Sequence, residues 1–322
     1  AMLKRDDMKR AYVFSSPMAQ YVMKATTPEM RRVIDFVDVD SDKWSQYSRK
    51  KQWPMSWVYR REAKRLLEYD RGVAAECDAS LFVSEDECEL FKRLAPEAKQ
   101  HVVCAENGVD IDYFSPDAVY ENPYSAADKV LVFVGAMDYW ANVDAVNWFA
   151  RQVFPQIRER IPEARFYIVG SRPTDAVRRL GKLPGISVTG AIRDIRPYIA
   201  HASLSVATLR IARGIQNKVL EAMAMAKPVL ATTAAIDGLD PKTVAGMLVS
   251  DDADELVELA VGYLDEPQAY EGLLREPVCT RYSWNKNLEC IERLIEGGLP
   301  GDALPGTSRS TPASGRYSTP AI

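Results

Sequence analysis

The sequence is poor in the residues that build metal centres and disulfide frameworks. Its 322 residues include two histidines and five cysteines, and no two cysteines form a Cys-x-x-Cys pair. An odd number of cysteines without a Cys-x-x-Cys pair argues against a disulfide framework or a zinc cage. The same cysteine content predicts a reducing, cytoplasmic location. Because His101 and His201 are the only histidines, a multi-histidine metal centre is excluded as well.

Long apolar runs and excess positive charge are also missing. No stretch approaches the roughly 18 uninterrupted apolar residues that span a bilayer, and residues 1–7 lack the apolar region of a signal peptide. The chain has 41 Lys and Arg against 45 Asp and Glu, for a formal charge of −4. Bulk attraction to nucleic acid or anionic lipid is therefore excluded, and any bound anion must meet a local cluster of positive charge.

Short apolar runs alternate with longer amphipathic ones, which is typical of strands buried between two helical layers of a parallel sheet. The pattern predicts strands over residues 11–14, 33–39, 79–83, 102–104, 130–134, 165–169, 186–188, 204–207, 228–231 and 246–249. It predicts helices over residues 62–76, 85–94, 143–161, 217–226 and 253–264. The chain is therefore expected to be an α/β protein built from repeated βαβ units.

A polar, proline-bearing connection between two groups of strands predicts two domains. The expected division is a first domain over 1–117, a linker over 118–128, a second domain over 129–280, a returning helix over 281–296 and a tail over 297–322. Only about four strands precede the linker, so the first domain is expected to be incomplete. The tail is rich in Gly, Pro, Ser and Thr, which predicts disorder.

One segment concentrates the residues that could bind an anion. Arg210, Arg213 and Gly214 precede a helix whose apolar surface is interrupted by Lys218 and Glu221, one turn apart on the same face. Helix N-terminal N–H groups, a glycine and nearby cations favour a phosphate site. The carboxylate one turn further can accept hydrogen bonds from ribose hydroxyls. The alternative is an internal ion pair between Lys218 and Glu221.

Five motifs in this order resemble the donor half of GT-B glycosyltransferases of the large retaining family 4. They are Glu106-Asn107-Gly108-Val109-Asp110, Phe133-Val134-Gly135-Ala136-Met137-Asp138, Phe166-x-Ile168-Val169-Gly170, Val188-Thr189-Gly190-x-x-x-Asp194, and Gly214-x-x-x-Lys218-x-x-Glu221-Ala222-Met223-Ala224 followed by Lys227-Pro228-Val229. Near the start, Ser15-Ser16-Pro17 and Asp35-Phe36-Val37-Asp38-Val39-Asp40 resemble a subgroup associated with bacterial exopolysaccharide export and the exosortase/PEP-CTERM system.

The resemblance implies two Rossmann-like domains facing a cleft and transfer of a sugar from a nucleotide-diphosphate sugar to a polysaccharide or lipid-linked acceptor. It implies retention of anomeric configuration, no cofactor, no metal and no nucleic-acid partner. It implies a cytoplasmic enzyme, and it allows peripheral association with the inner face of the plasma membrane. Lys218 and Glu221 are the expected catalytic residues. The expected donor-binding residues are Gly135, Asn142, Gly190, Asp194, Arg210, Arg213, Gly214, Gln216, Asn217, Lys218 and Glu221, and the acceptor-side residues are Ser16 and Asp38.

The sequence departs from the family pattern at two positions. Arg213 stands where family 4 has the first glutamate of a Glu-x7-Glu pair, and the loop at Gly135 lacks the usual cation. Arg210, Arg213 and Lys218 are therefore expected to bind the diphosphate. The departures also keep two alternatives open, a GT-B-like nucleotide-sugar epimerase and a non-catalytic donor-binding protein. An NAD-dependent dehydrogenase is disfavoured, because no Gly-x-Gly-x-x-Gly follows a predicted strand.

Several positions allow a structural explanation. Asn142 is expected to cap a helix beginning at Val143, and Asp194 to end a strand. Asp35, Asp38 and Asp40 are expected on one strand, with Asp38 and Asp40 on a shared face. The aromatic residues Trp53, Trp57 and Tyr59 are expected in the core or in a groove wall.

Overall fold

The computed structural model describes residues 8–24, 29–50, 52–212, 214–267 and 275–298, with the side chain of residue 50 excepted. These residues form two parallel sheets covered by helices, so the predicted α/β class is confirmed. The predicted tail lies outside the described residues from position 299 onward. The bounds assigned to the domains stay a prediction.

The first sheet has the strand order β1-β2-β3-β4. Its elements are β1 (Arg10–Phe14), α1 (Ser16–Met23), β2 (Arg31–Val37), α2 (Asp40–Lys50), α3 (Met55–Glu76), β3 (Ala79–Phe82), α4 (Glu85–Leu94), a 3-10 helix (Pro96–His101) and β4 (Val102–Cys104).

The second sheet has the order β10-β9-β8-β5-β6-β7. Its elements are β5 (Lys129–Val134), α5 (Trp140–Trp148), a π-helical turn (Phe149–Val153), α6 (Phe154–Arg160), β6 (Ala164–Val169), α7 (Asp175–Leu180), β7 (Ile186–Gly190), α8 (Arg196–His201), β8 (Leu204–Ala207), α9 (Asn217–Ala224), β9 (Val229–Ala231), a 3-10 helix (Thr233–Ala235), α10 (Pro241–Val244), β10 (Leu248–Val249) and α11 (Ala253–Asp265). Two further helices follow, α12 (Arg275–Arg281) and α13 (Trp284–Glu296).

All ten predicted strands are confirmed to within two residues at each end. The expectation that Asp35, Asp38 and Asp40 lie on one strand is wrong, because β2 stops at Val37 and Asp40 begins a helix. Val37 has a left-handed φ of 70°, and its N–H donates to the Asp35 carboxylate at 2.9 Å. This local turn ends the strand, so Asp38 and Asp40 share no strand face.

The helix predicted over 143–161 is also different in the structure. It begins three residues earlier, at Trp140, and is interrupted by the π-helical turn before α6. Pro155 at the start of α6 has no N–H to continue the ladder, and its ring displaces the preceding carbonyl groups, which accounts for the local shift in hydrogen bonding.

The two sheets are connected at a second point besides the linker. Val109 forms a parallel bridge with Ser283, its N–H donates to the Tyr282 carbonyl at 2.7 Å, and Tyr282 is fully buried. Arg281 forms ion pairs with Asp240 and Glu106. Helix α13 then lies on the first sheet, with Cys290 and Leu294 packed among the side chains of Val33, Leu81 and Val103. The chain therefore crosses between the sheets twice, which fixes how their edges face each other.

Candidate functional site

The order of the second sheet reverses between β5 and β8. From β5 the chain continues outward through β6 and β7, then returns to β8 on the opposite side of β5. At such a reversal, the loops that leave the carboxyl ends of the two neighbouring strands diverge and open a crevice for ligands. The loops concerned contain residues 135–139 and 208–216, which include five of the eleven expected donor-binding positions.

A hydrogen bond joins the two sides of this crevice. Lys218 on α9 donates through Nζ to Oδ1 of Asn142 on α5 at 2.6 Å, and Asn142 Nδ2 donates to the Ala136 carbonyl at 2.9 Å. Asn142 is only 5% exposed. The expectation that it caps the helix is wrong, because the helix begins at Trp140 and places Asn142 in its first turn. Its side chain instead holds Lys218 against the loop after β5.

Burial sets the electrostatics of Lys218. It lowers the pKa of the ammonium from 10.5 to about 8, and the nearby Glu221 carboxylate offsets only part of that effect. The same burial raises the pKa of Glu221, which Lys218 partly offsets. The ammonium also lies 4.8 Å from the centre of the Phe133 ring. A desolvated cation of this kind gains stability when an anion arrives beside it.

Glycines allow the backbone to approach closely beside this pair. Gly170 has a φ of 149°, and a Cβ there would lie 1.8 Å from the Gly135 carbonyl oxygen. A Cβ on Gly135 would lie 2.7 Å from Nδ2 of Asn142. Gly190 and Gly214 have φ values of 72° and 65°, and a Cβ on either would meet no atom within 4 Å. The first two glycines are required by packing, and the last two leave the backbone accessible.

The expected arginines have different surroundings. Arg210 donates to both carboxylate oxygens of Asp144 on α5, at 3.0 and 2.5 Å, and lies 5.7 Å from the Trp148 ring centre. Arg213 lies outside the described residues. Sequence reasoning missed Asp144, because a partner 66 positions away on another helix leaves no local pattern. A ligand phosphate at Arg210 would therefore share the guanidinium with Asp144.

The remaining donor-side positions lie on two loops. Gln216 Nε2 donates to the Gly214 carbonyl at 3.0 Å, and the exposed Asn217 is the first residue of α9. Asp194 binds the Arg196 guanidinium with both carboxylate oxygens and also accepts from its N–H. These bonds lower the pKa of Asp194. The expectation that Asp194 ends a strand is wrong, because β7 ends at Gly190. Since the Arg196 guanidinium lies 3.7 Å from the Tyr113 ring centre, Asp194 instead connects its loop to the segment that precedes the predicted linker.

The first sheet lies opposite this edge across a polar crevice of about 490 Å³. Its walls come from α4, which contributes Asp86, Glu89 and Arg93, and from Gly214 and Asp237 of the second sheet. Ser84, also in the wall, accepts at Oγ from the N–H of Glu87 at 3.3 Å and so caps α4. Gly214, one of the expected donor-binding residues, therefore faces the first sheet.

The two expected acceptor-side residues follow the carboxyl ends of β1 and β2. Asp38 accepts from Lys43 at 2.7 Å. Burial raises the pKa of the Tyr139 phenol, in the loop after β5, and the charges of Tyr47, Lys43 and Asp38 act on it as well. Asp38 therefore lies within electrostatic range of the donor-side loop.

Ser16, the other acceptor-side residue, lies within hydrogen-bond reach of Asp70 on α3. Asp70 is 3% exposed, and its Oδ1 has no partner within the described part of the chain. Burial, together with the nearby Asp40, raises the pKa of Asp70 from 3.8 to about 6, and the Ser16 hydroxyl only partly offsets this. The folded protein thus holds a carboxyl group that resists ionisation.

Replacement of Asp70 by asparagine is expected to stabilise the protein above pH 6. Folding raises the pKa of this acid, so ionisation destabilises the native chain as pH rises from about 4 to about 6. The Asp70→Asn variant avoids that cost of about 2–3 kcal/mol. Calorimetric unfolding at pH 7.5 and pH 4 should show the stabilisation at the higher pH and its disappearance at the lower. Equal effects at both values would contradict the assignment.

Two features are absent from the described part of the chain. None of their helices is both long and apolar enough to cross a membrane. Nor do their His, Cys, Asp and Glu side chains form a group of three or more that could hold a metal ion.

Comparison with known proteins identifies the second sheet. Residues 128–266 match the sequence model of the family described as glycosyl transferases group 1. We call residues 128–266 the glycosyltransferase domain, after the family model that they match. They contain nearly all of the second sheet's helices and every donor-side residue described above, so the glycosyltransferase activity expected from the sequence is confirmed at this level.

Solved structures show that the glycosyltransferase domain and the first sheet together have the GT-B fold. HepE from Anabaena, crystallised with UDP and glucose, has a TM-score of 0.67 at 14% identity, over 91% of this chain and 78% of that chain. Sucrose-phosphate synthase from Thermosynechococcus elongatus gives 0.63 at 14% identity, over 89% and 73%. TarM from S. aureus, as a variant in complex with fondaparinux, α-GlcNAc-glycerol and UDP, gives 0.67 at 12%, over 92% and 57%. No curated protein sequence matches the chain.

Proposed function

We propose that this chain transfers a sugar from a nucleotide-diphosphate donor held at the crevice between β5 and β8. The observation that carries the proposal is the buried ammonium group of Lys218 at the start of α9. Asn142 of α5 holds it by a hydrogen bond, and no atom would crowd a Cβ at Gly214 in the preceding loop. The HepE and TarM structures contain UDP, which supports a uridine donor among the nucleotides to be tested.

In the proposed reaction, the bond between the sugar and the diphosphate breaks while negative charge grows on the leaving phosphate. Lys218 and the backbone N–H groups of Asn217 and Lys218 at the start of α9 would stabilise that charge, because both are positioned before the reaction begins. Glu221 would accept hydrogen bonds from the ribose hydroxyls. Because these groups supply the positive potential, we propose a transfer that needs no metal. The resemblance to a retaining family supports retention of anomeric configuration.

The resemblance to family 4 and to the exosortase-associated subgroup supports the proposed biological role. In that role the acceptor is a polysaccharide or a lipid-linked saccharide of bacterial exopolysaccharide synthesis. It would approach from the side of Ser16 and Asp38. The reaction would take place in the cytoplasm, at the inner face of the plasma membrane.

A calorimetric screen tests donor binding directly. UDP, GDP and ADP, each with its sugar conjugates, should give a saturable signal for one nucleotide class. A protein that responds to none of them would contradict the proposal. Incubation of the binding donor alone and with acceptor then separates the alternatives, since an epimerase converts donor without acceptor and a non-catalytic protein converts neither.

The pH dependence of donor binding is a second expected result. Because burial lowers the pKa of Lys218 to about 8, affinity for UDP should fall as pH rises through that value. Asn142→Asp places a carboxylate on Lys218 Nζ, which should raise the pKa of the ammonium and move the fall to higher pH. Asn142→Leu removes the hydrogen bond and should weaken binding at all pH values. An identical pH profile for the wild type and Asn142→Asp would show that Lys218 does not contact the diphosphate.

A further inference from the structure

Helices α2 and α3 form a hairpin that projects beyond the sheet to which it belongs. Ser16 lies two residues after β1 ends at Phe14, so its hydrogen bond with Asp70 marks the level of the sheet's carboxyl edge on α3. Helix α3 begins at Met55, fifteen residues before Asp70, and at 1.5 Å per residue this start lies about 22 Å further along the helix axis. The connection between α2 and α3 is therefore the tip of a projection on the cleft side of the first sheet.

The tip exposes large apolar side chains. Trp53 is 82% exposed, Trp57 is 58% exposed and Met55 is 44% exposed. Of the two placements expected for Trp53 and Trp57, the core is therefore wrong. About one turn into α3, Tyr59 packs against Trp44 and Tyr47 of α2, and the ring centres of the three side chains are 5.4 to 6.4 Å apart. The hairpin thus has its own aromatic support, which leaves the two tip tryptophans free to meet another surface.

The same tip concentrates positive charge in a chain that is acidic overall. Residues 49–65 contain seven Lys or Arg and one acidic residue, Glu62, whereas the whole chain has a formal charge of −4. Arg49, Arg60, Arg61, Lys64 and Arg65 are exposed. Arg61 pairs with Glu62 at 2.7 Å, and Lys64 lies 3.9 Å from Glu68. This cluster supplies the local positive charge that an anion-binding surface needs in a chain of net negative charge.

We propose that this tip, formed in the described part of the chain by Arg49 and residues 52–65, docks on the surface of a bilayer containing anionic phospholipid. Tryptophan rings partition to the headgroup level of a membrane, and basic side chains beside them bind anionic headgroups. The two features are combined here on a projecting helical turn without a transmembrane helix among the described residues. Docking would hold the cleft side of the first sheet toward the membrane, where a lipid-linked acceptor resides.

Vesicle co-sedimentation of the full chain tests the proposal. Binding is expected to phosphatidylcholine vesicles with about 30 mol% phosphatidylglycerol and not to phosphatidylcholine alone, and it should weaken as salt screens the charges. The triple variant Arg60→Gln, Arg61→Gln, Lys64→Gln should lower the partition coefficient by about 100-fold. The double variant Trp53→Ala, Trp57→Ala should lower it by about tenfold or more.

A matched triple variant separates local from global charge effects. Arg178, Arg179 and Lys182 are exposed on and just after α7, and replacing all three by glutamine removes the same charge while leaving the tip intact. It should bind vesicles like the wild type. The proposal is overturned if the wild type does not bind anionic vesicles, if the α7 variant loses binding equally, or if the tip binds only acidic polysaccharide or nucleic acid. Calorimetric UDP binding and thermal unfolding, measured on every variant, distinguish these outcomes from misfolding and from failure of the proposed donor site.

Discussion

Lys218→Glu is expected to weaken UDP binding by well over tenfold. A charge-assisted hydrogen bond to phosphate contributes roughly 1.5–3 kcal/mol, so its loss alone corresponds to about a ten- to hundredfold change in affinity. The new carboxylate would also lie near Glu221 and repel the diphosphate. Isothermal calorimetry of UDP with the wild type and the variant measures the effect. Lys218→Met should show the loss of the contact without the added repulsion.

The control for this prediction is a lysine of equal charge away from the crevice. Lys182 is exposed just after α7, and Lys182→Glu changes the net charge by the same amount. It should leave UDP affinity unchanged. Arg210→Glu is expected to weaken binding as well, but its effect must be measured beside Asp144→Asn, because the new carboxylate would repel Asp144 even without a ligand. Unchanged affinity in Lys218→Glu would refute the donor site.

Gly170→Ala is expected to destabilise the glycosyltransferase domain by about 3–5 kcal/mol. The φ of 149° lies in a region that side-chain-bearing residues rarely adopt, and the added Cβ would fall 1.8 Å from the Gly135 carbonyl oxygen. Since that obstacle is backbone, the loop after β5 has to move, and with it Ala136, to which Asn142 is bonded. Both the unfolding temperature and the UDP affinity should fall.

Gly190→Ala provides the comparison for this change. Gly190 also has a positive φ, of 72°, but a Cβ there meets no atom within 4 Å. Its replacement by alanine should lower the free energy of unfolding by only about 1 kcal/mol, which is the usual strain of a side-chain-bearing residue in the left-handed region. Chemical denaturation of the two variants beside the wild type measures the difference. Similar losses of stability in both variants would show that the close approach between Gly135 and Gly170 does not govern the fold of this loop.

Local patterns in the sequence were sufficient for the strands and for the position of the donor-side loops. Every strand was predicted to within two residues, because buried parallel strands such as β5 are continuous apolar runs. Lys218 and Glu221 could also be placed on one helical face, because residues three apart on a helix are neighbours. The same local reasoning failed at Asn142, where a residue type suited to capping lies inside the helix and bonds to a distant lysine.

The amino-acid sequence by itself determined the α/β class, the order of the strands along the chain and the segments from which a glycosyltransferase site would be built. The tertiary structure decided which groups meet: Lys218 with Asn142, Arg210 with Asp144, and Asp194 with Arg196. It also decided that Trp53 and Trp57 project into solvent beside a basic cluster. The physical reason is that apolar periodicity is set by near neighbours in the chain, whereas polar partners and exposure depend on which strands and helices the folded sheet brings side by side.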